Sequence, residues 1–194
     1  MTAFRYKAFV SYSWADATWG NWLQKAIETY RAPSALVGKE GALGPVPARL
    51  HPLFKDREEE AAGASIGAAV ETALAASEFL IVVCSPNSAK SKWVDREVAW
   101  FKTHRDPAKV LALIVDGEPG GGERECFPRA LTHRVLPDLS ITDQAEDAPL
   151  AADAGVARPG GHVSQTQLRR GRPQALRFSA TPKGAPIWPH CKDP

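Results

Sequence analysis

Three continuous apolar runs, residues 8–12 (AFVSY), 79–84 (FLIVVC) and 110–115 (VLALIV), constrain the fold more than any other feature of the chain. Each is short, rich in β-branched or aromatic residues and free of apolar/polar alternation, the pattern of strands covered on both faces. Between the first and second runs, Trp19, Trp22, Leu23, Ala26, Ile27 and Tyr30 form an i, i+3, i+4, i+7 stripe. That stripe predicts an amphipathic helix that starts after Asp16, a candidate N-cap, and stops before Pro33. A second helix is expected to carry Ile66, Val70 and Leu74, and a third Val94, Val98 and Phe101. Strands that alternate with helices build a parallel sheet.

Residues 50–54 (LHPLF) are a weaker strand candidate, and Pro52, which has no N–H to donate, confines it to a sheet edge. Placing this second strand at the edge predicts the order 2-1-3-4-5, the flavodoxin-like doubly wound parallel sheet. Its ligand crevice opens between strands 1 and 3 at their carboxyl ends. The rule points to residues 11–16 after strand 1 and 85–88 after strand 3. A fifth strand is expected through residues 130–135.

With 194 residues, 44% of them hydrophobic, the chain has enough apolar surface for one good core and not for two. The expected division is a domain over 1–152 and an irregular tail over 153–194, where Gly and Pro recur and apolar residues thin out. The tail carries seven Lys or Arg against two Asp, about +5, and reads as a poorly ordered basic extension in preference to a nucleic-acid arm. The overall charge of +2 is too small to argue for nucleic acid or a membrane surface. No apolar run approaches the roughly 20 residues that span a bilayer. The first residues run straight into a strand without a leader pattern, so a cytoplasmic location is expected. Cys84, Cys126 and Cys191 are odd in number and lack CxxC spacing, which argues against a disulfide framework and a structural zinc. Residues 32–49, rich in Gly and Pro, read as a long surface loop.

In SKWVDREVAWF the core face of the third helix is Val94, Val98 and Phe101, and four residues of separation put Trp93 and Glu97 roughly 40° apart on one flank. Asp95 and Arg96 are expected to project to water. A helix that starts at the carboxyl end of strand 3 can turn the Trp93/Glu97 flank toward the crevice, setting an acid beside an indole. Partial desolvation of such a carboxylate disfavours its charged form and raises its pKa, which suits a group that handles protons or hydroxyls. The WxxxE spacing alone fits many helices.

The order of features is more specific. YKAFVSYSWAD at strand 1, LFKDREEEAAGASI between strand 2 and helix 2, FLIVVCSPNSAKSKWVDREV from strand 3 into helix 3, and VLALIVDGEP after strand 4 together resemble a bacterial Toll/interleukin-1 receptor (TIR) domain. The resemblance covers about residues 4–135, and WVDRE is its most specific part. It implies cleavage of the bond between nicotinamide and ribose in NAD, with Glu97 as catalytic residue and Trp93 lining the pocket. Ser13 and Trp14 would lie near the ligand. Residues 55–65 would form a loop that gates the site and mediates self-association, and Arg57 within it is the candidate for the pyrophosphate. NAD would be a substrate, with no cofactor or metal required. The product would be ADP-ribose or a cyclic isomer, made on self-assembly in bacterial defence or signalling. The alternative is a non-catalytic TIR interaction module, for which a carboxylate at position 97 has no use. A phospho-receiver shares the strand order but needs an Asp at the end of strand 3, where this chain has Ser85.

Overall fold

A computed structural model describes residues 4–41, 44–55 and 67–154. The strands of its central sheet are β1 (Tyr6–Ser11), β2 (Leu53–Lys55), β3 (Ser77–Cys84), β4 (Val110–Ile114) and β5 (Leu150–Asp153). The helices are α1 (Ala17–Thr29), α2 (Ala68–Ala75), α3 (Lys92–His104) and the single turn α4 (Arg129–Thr132). All five strands are parallel in the order β2-β1-β3-β4-β5, the doubly wound order expected from the sequence.

Side-chain alternation along the strands divides the core in two. Phe9, Leu80, Val82 and Cys84 pack with Leu74 of α2 and Val94, Val98 and Phe101 of α3. On the opposite face Ala8, Val10, Leu53 and Val83 pack with Leu23 of α1, flanked by Trp19, Trp22 and Ile27. The stripes of α1, from Trp19 to Ile27, and of α3 turn to the core the faces their periodicity marks, whereas Tyr30, expected to end the first stripe, is the C-cap of α1 and 50% exposed. Ile66, expected to open the second helix, lies outside the described residues.

The edge strand β2 shows how Pro52 is accommodated. Its carbonyl accepts from Lys7 N at 2.8 Å, while Leu53 N, on the outer side, donates to Glu28 Oε1 of α1 at 3.1 Å. The helix thus satisfies a backbone donor that an exposed edge would leave open. Of the described residues in 32–49 all but Ala32, Gly44 and Val46 are exposed, as a surface loop should be, yet the segment is partly zipped by backbone bonds from Ala32 N to Ala48 O, Gly38 N to Val46 O and Val46 N to Lys39 O.

Two expectations are corrected. Residues 130–135 do not form the fifth strand. The chain makes α4 there, followed by a short strand, His133–Val135, that pairs antiparallel with Ile141–Ala145 outside the main sheet. The fifth strand is Leu150–Asp153, with Leu111 opposite Leu150 and Leu113 opposite Ala152. Tertiary capture explains the change. Asp95 Oδ1 accepts from Ala130 N at 2.8 Å and so caps α4, and Lys102 Nζ donates to the carbonyls of Ala130 at 3.0 Å and His133 at 2.9 Å.

Asp95 accordingly does not project to water. It is half-buried, and desolvation holds its carboxyl above the ordinary range even though the Ala130 amide pulls the other way. The expected basic tail begins at residue 153, the last residue of β5, and residues 155–194 lie outside the described residues. No helix among the described residues is long and apolar enough to cross a membrane.

Candidate active site

The carboxyl ends of β1 and β3 are polar although the strands are apolar. Ser11 closes β1, and Ser85 follows Cys84, the last residue of β3; both are 1% exposed. A polar residue at the end of a buried run has to find a partner in the protein, because water does not reach it.

Glu97 meets that need for Ser11. Ser91 caps α3 by accepting from Val94 N at 3.4 Å, which starts the helix beside the end of β3 and places Glu97 six residues on, facing the sheet. Ser11 Oγ donates to Glu97 Oε2 at 2.5 Å, and the carboxylate is 6% exposed. The bond satisfies two buried polar groups that water does not reach.

Asp16 meets it for Ser85. The sequence makes Asp16 an N-cap of α1, and it occupies that position, but its side chain makes no cap bond. Its carboxylate, 7% exposed, accepts from Ser85 Oγ at 2.5 Å and from Asn87 Nδ2 at 3.0 Å. Tertiary partners outcompete the helix N–H groups here. Ser85 Oγ in turn accepts from Asn87 N at 3.0 Å and Ser88 N at 3.2 Å, so the loop after β3 is wound around one hydroxyl. Ser88 Oγ also reaches Cys126 O at 3.3 Å, in the loop after β4.

Three of the other four residues expected at the site, Trp93, Ser13 and Trp14, are among the described residues. Trp93 is half-buried in the first turn of α3, one turn before Glu97, and belongs to neither core cluster. Ser13 and Trp14 lie in the turn between β1 and α1, closed by Asp16 N donating to Ser13 O at 2.7 Å; Ser13 is half-buried and Trp14 is 62% exposed. Arg57 lies outside the described residues, as does the loop from residue 56 to 66. Lys55, at the near end of that loop, donates to Asn21 of α1. The sequence places Ser11, Ser85 and Asn87 at the crevice, within residues 11–16 and 85–88, but assigns them no partners; the signal is the position of the serines at the polar ends of apolar runs.

Cys84 and Cys126 are free and fully buried. Burial pushes both up, Cys126 to about 11 with a contribution from Glu125, so neither offers a thiolate at neutral pH. Among the described residues no group of three or more His, Cys, Asp or Glu side chains is placed to hold a metal ion.

A parallel 2-1-3-4-5 sheet with an acidic residue presented at its switch point, from the helix after the third strand, defines a flavodoxin-like domain with a carboxylate site. The chain belongs to the TIR domain family, which matches residues 8–151. It is 26% identical over 119 residues to the NAD(+) hydrolase ApTIR of Actinoplanes sp., a match that takes in 59% of this chain and 14% of that protein. It is also similar to the TIR domains of the activated Roq1 resistosome directly recognizing the pathogen effector XopQ. That alignment has 20% identity, covers 59% of this chain and 60% of the other, and has a TM-score of 0.33.

Proposed function

We propose that the domain cleaves NAD, releasing nicotinamide, with Glu97 as the catalytic carboxylate. The observation that carries the reading is the buried Glu97 carboxylate, bonded to Ser11 at the end of β1, in the WVDRE stretch of a TIR domain. The similarity to part of an NAD(+) hydrolase supports it.

The chemistry suits a single acid. Nicotinamide in NAD is already a cationic leaving group. The C1′–N bond breaks with its electron pair returning to the pyridinium nitrogen, and no proton has to be delivered to neutral nicotinamide. The difficulty lies in the oxocarbenium-like ribose, whose positive charge one nearby carboxylate stabilises. Water then adds at C1′ and loses a proton, giving ADP-ribose; attack by the adenine of the same molecule gives a cyclic isomer instead. Glycosidases that must protonate their leaving group need a second carboxyl, and this reaction does not. No bound cofactor is called for, NAD being the substrate.

Incubating the purified chain with NAD and following nicotinamide release is the direct test. Self-association through the TIR domain, with the charged loop of residues 55–65 reaching a neighbouring copy, belongs to the same proposal. Specific activity is then expected to rise with protein concentration by mass action and to fall with salt, which screens exposed ion pairs. A flat specific activity over a hundredfold dilution, with a monomeric sizing profile, would remove the assembly step and leave the catalytic one.

Trp93→Ala tests the indole. Because Trp93 sits outside both core clusters, the substitution is expected to raise KM for NAD about tenfold while lowering the melting temperature by only a few degrees. A large thermal loss with unchanged kinetics would make Trp93 a packing residue. The bacterial defence or signalling role implied by the family is the biological setting of this proposal.

A further inference from the structure

Two hydroxyl–carboxylate bonds cross the crevice in opposite senses. Ser11, on β1, donates to Glu97 on the helix that follows β3. Ser85, just past β3, donates to Asp16 at the start of the helix that follows β1. Both bonds are 2.5 Å and all four residues are buried, so each βα unit is tied to its neighbour at the point where the strand order reverses.

We propose that these bonds form a crossed brace whose two arms set different parts of the site: Ser11 positions the Glu97 carboxylate, and Asp16, through Ser85 and Asn87, positions the turn that carries Ser13 and Trp14. The proposal rests on the reading of Glu97 as the carboxylate of NAD cleavage.

The Ser11 arm is rigid at the donor end. Ser11 lies on the strand that pairs with both β2 and β3, opposite Val82, so the ladder fixes its hydroxyl. A glutamate side chain has three rotatable bonds, and a hydrogen bond from a fixed donor selects one orientation. Glu97 is needed where charge develops on the ribose. Loosening it therefore lowers transition-state stabilisation and leaves ground-state affinity alone.

The Asp16 arm acts on the turn that follows β1 at its carboxyl end. Asp16 N closes that turn on Ser13 O at 2.7 Å, and its carboxylate fastens the turn to the loop after β3. Ser85 Oγ already accepts from two backbone amides, at 3.0 and 3.2 Å, so its single proton is committed to Asp16. Without Asp16 the turn loses its tie to the loop after β3, and without Ser85 it keeps only the bond from Asn87, so substrate retention suffers while the Ser11–Glu97 bond is untouched.

Steady-state kinetics and calorimetric NAD affinity of Ser11→Ala, Asp16→Ala and Ser85→Ala, each well below its melting temperature, test the brace. Ser11→Ala is expected to lower kcat at least tenfold with KM and Kd for NAD within threefold. Asp16→Ala is expected to raise KM and Kd at least tenfold with kcat within threefold. Ser85→Ala, the gentler change, shifts KM in the same direction and stands in if Asp16→Ala does not fold. Variants that change kcat and KM in equal proportion, or melting temperature alone, overturn the brace. A wild type that binds NAD without turnover removes the catalytic reading, and the Asp16 and Ser85 variants must then still bind more weakly than Ser11→Ala. A wild type that neither binds nor cleaves NAD overturns both.

Discussion

Glu97→Ala is expected to lower nicotinamide release by about 10²–10³-fold or more, the range for removing one group that stabilises transition-state charge. The fold should survive. The substitution strands the buried Ser11 hydroxyl at a cost of about 1–3 kcal/mol, against which relief of the carboxyl group's own desolvation counts. The melting temperature should therefore move by only a few degrees. Glu97→Gln separates charge from shape, since an amide oxygen still accepts from Ser11 Oγ but carries no formal charge. It should be nearly as inactive as the alanine variant. Turnover equal to wild type in either variant would sink the assignment, whereas activity retained only in Glu97→Gln would move the role of residue 97 from charge to hydrogen bonding.

Gly117→Ala is expected to have the largest effect on stability of any conservative change near the site. Gly117 sits at φ +83°, a backbone conformation that L side chains rarely adopt, and a Cβ there would lie 2.6 Å from the Arg124 carbonyl oxygen and 2.9 Å from Cys126 Cβ. The Arg124 carbonyl cannot withdraw cheaply, because it accepts from Glu118 N at 2.9 Å. Strain and overlap together should cost about 2–4 kcal/mol, or roughly 6–12 °C in melting temperature for a domain of this size. Pro86, 3.1 Å from the same Cβ position, carries the disturbance into the loop after β3, so NAD turnover should fall as well. Gly120→Ala is the control: it shares a positive φ, +72°, but its Cβ meets nothing within 4 Å. It should cost no more than about 1–2 kcal/mol. Equal losses at the two positions would show that backbone conformation alone is responsible.

The candidate site was legible in part. The position of Glu97 on the flank of α3 followed from helical spacing, and its burial from the strand that precedes it. Its bond to Ser11 did not follow, since Ser11 is 86 residues away in the chain. Asp16 shows the opposite failure. Its local signal, an acidic residue just before an amphipathic helix, predicts a cap, and the side chain bonds instead to Ser85, 69 residues away. Asp95 was read as solvated for the same reason: one residue on a helix gives no hint that a later turn, α4, will present an amide to it.

The sequence by itself determined what repeats locally and what burial selects. The apolar runs that became β1, β3 and β4, the stripes of α1 and α3, the edge position imposed by Pro52 and the strand order all arise from periodicity and from covering both faces of a parallel sheet. Tertiary structure decided the pairings. Leu150–Asp153, four residues with two alanines, has little strand signal of its own and is recruited because β4 offers it an open edge. Residues 130–135 have the stronger local pattern but are drawn into a capped turn by Asp95 and Lys102. A hydrogen bond forms with whichever group packing brings within about 3 Å, and that is a property of the assembled chain, not of the residues on either side.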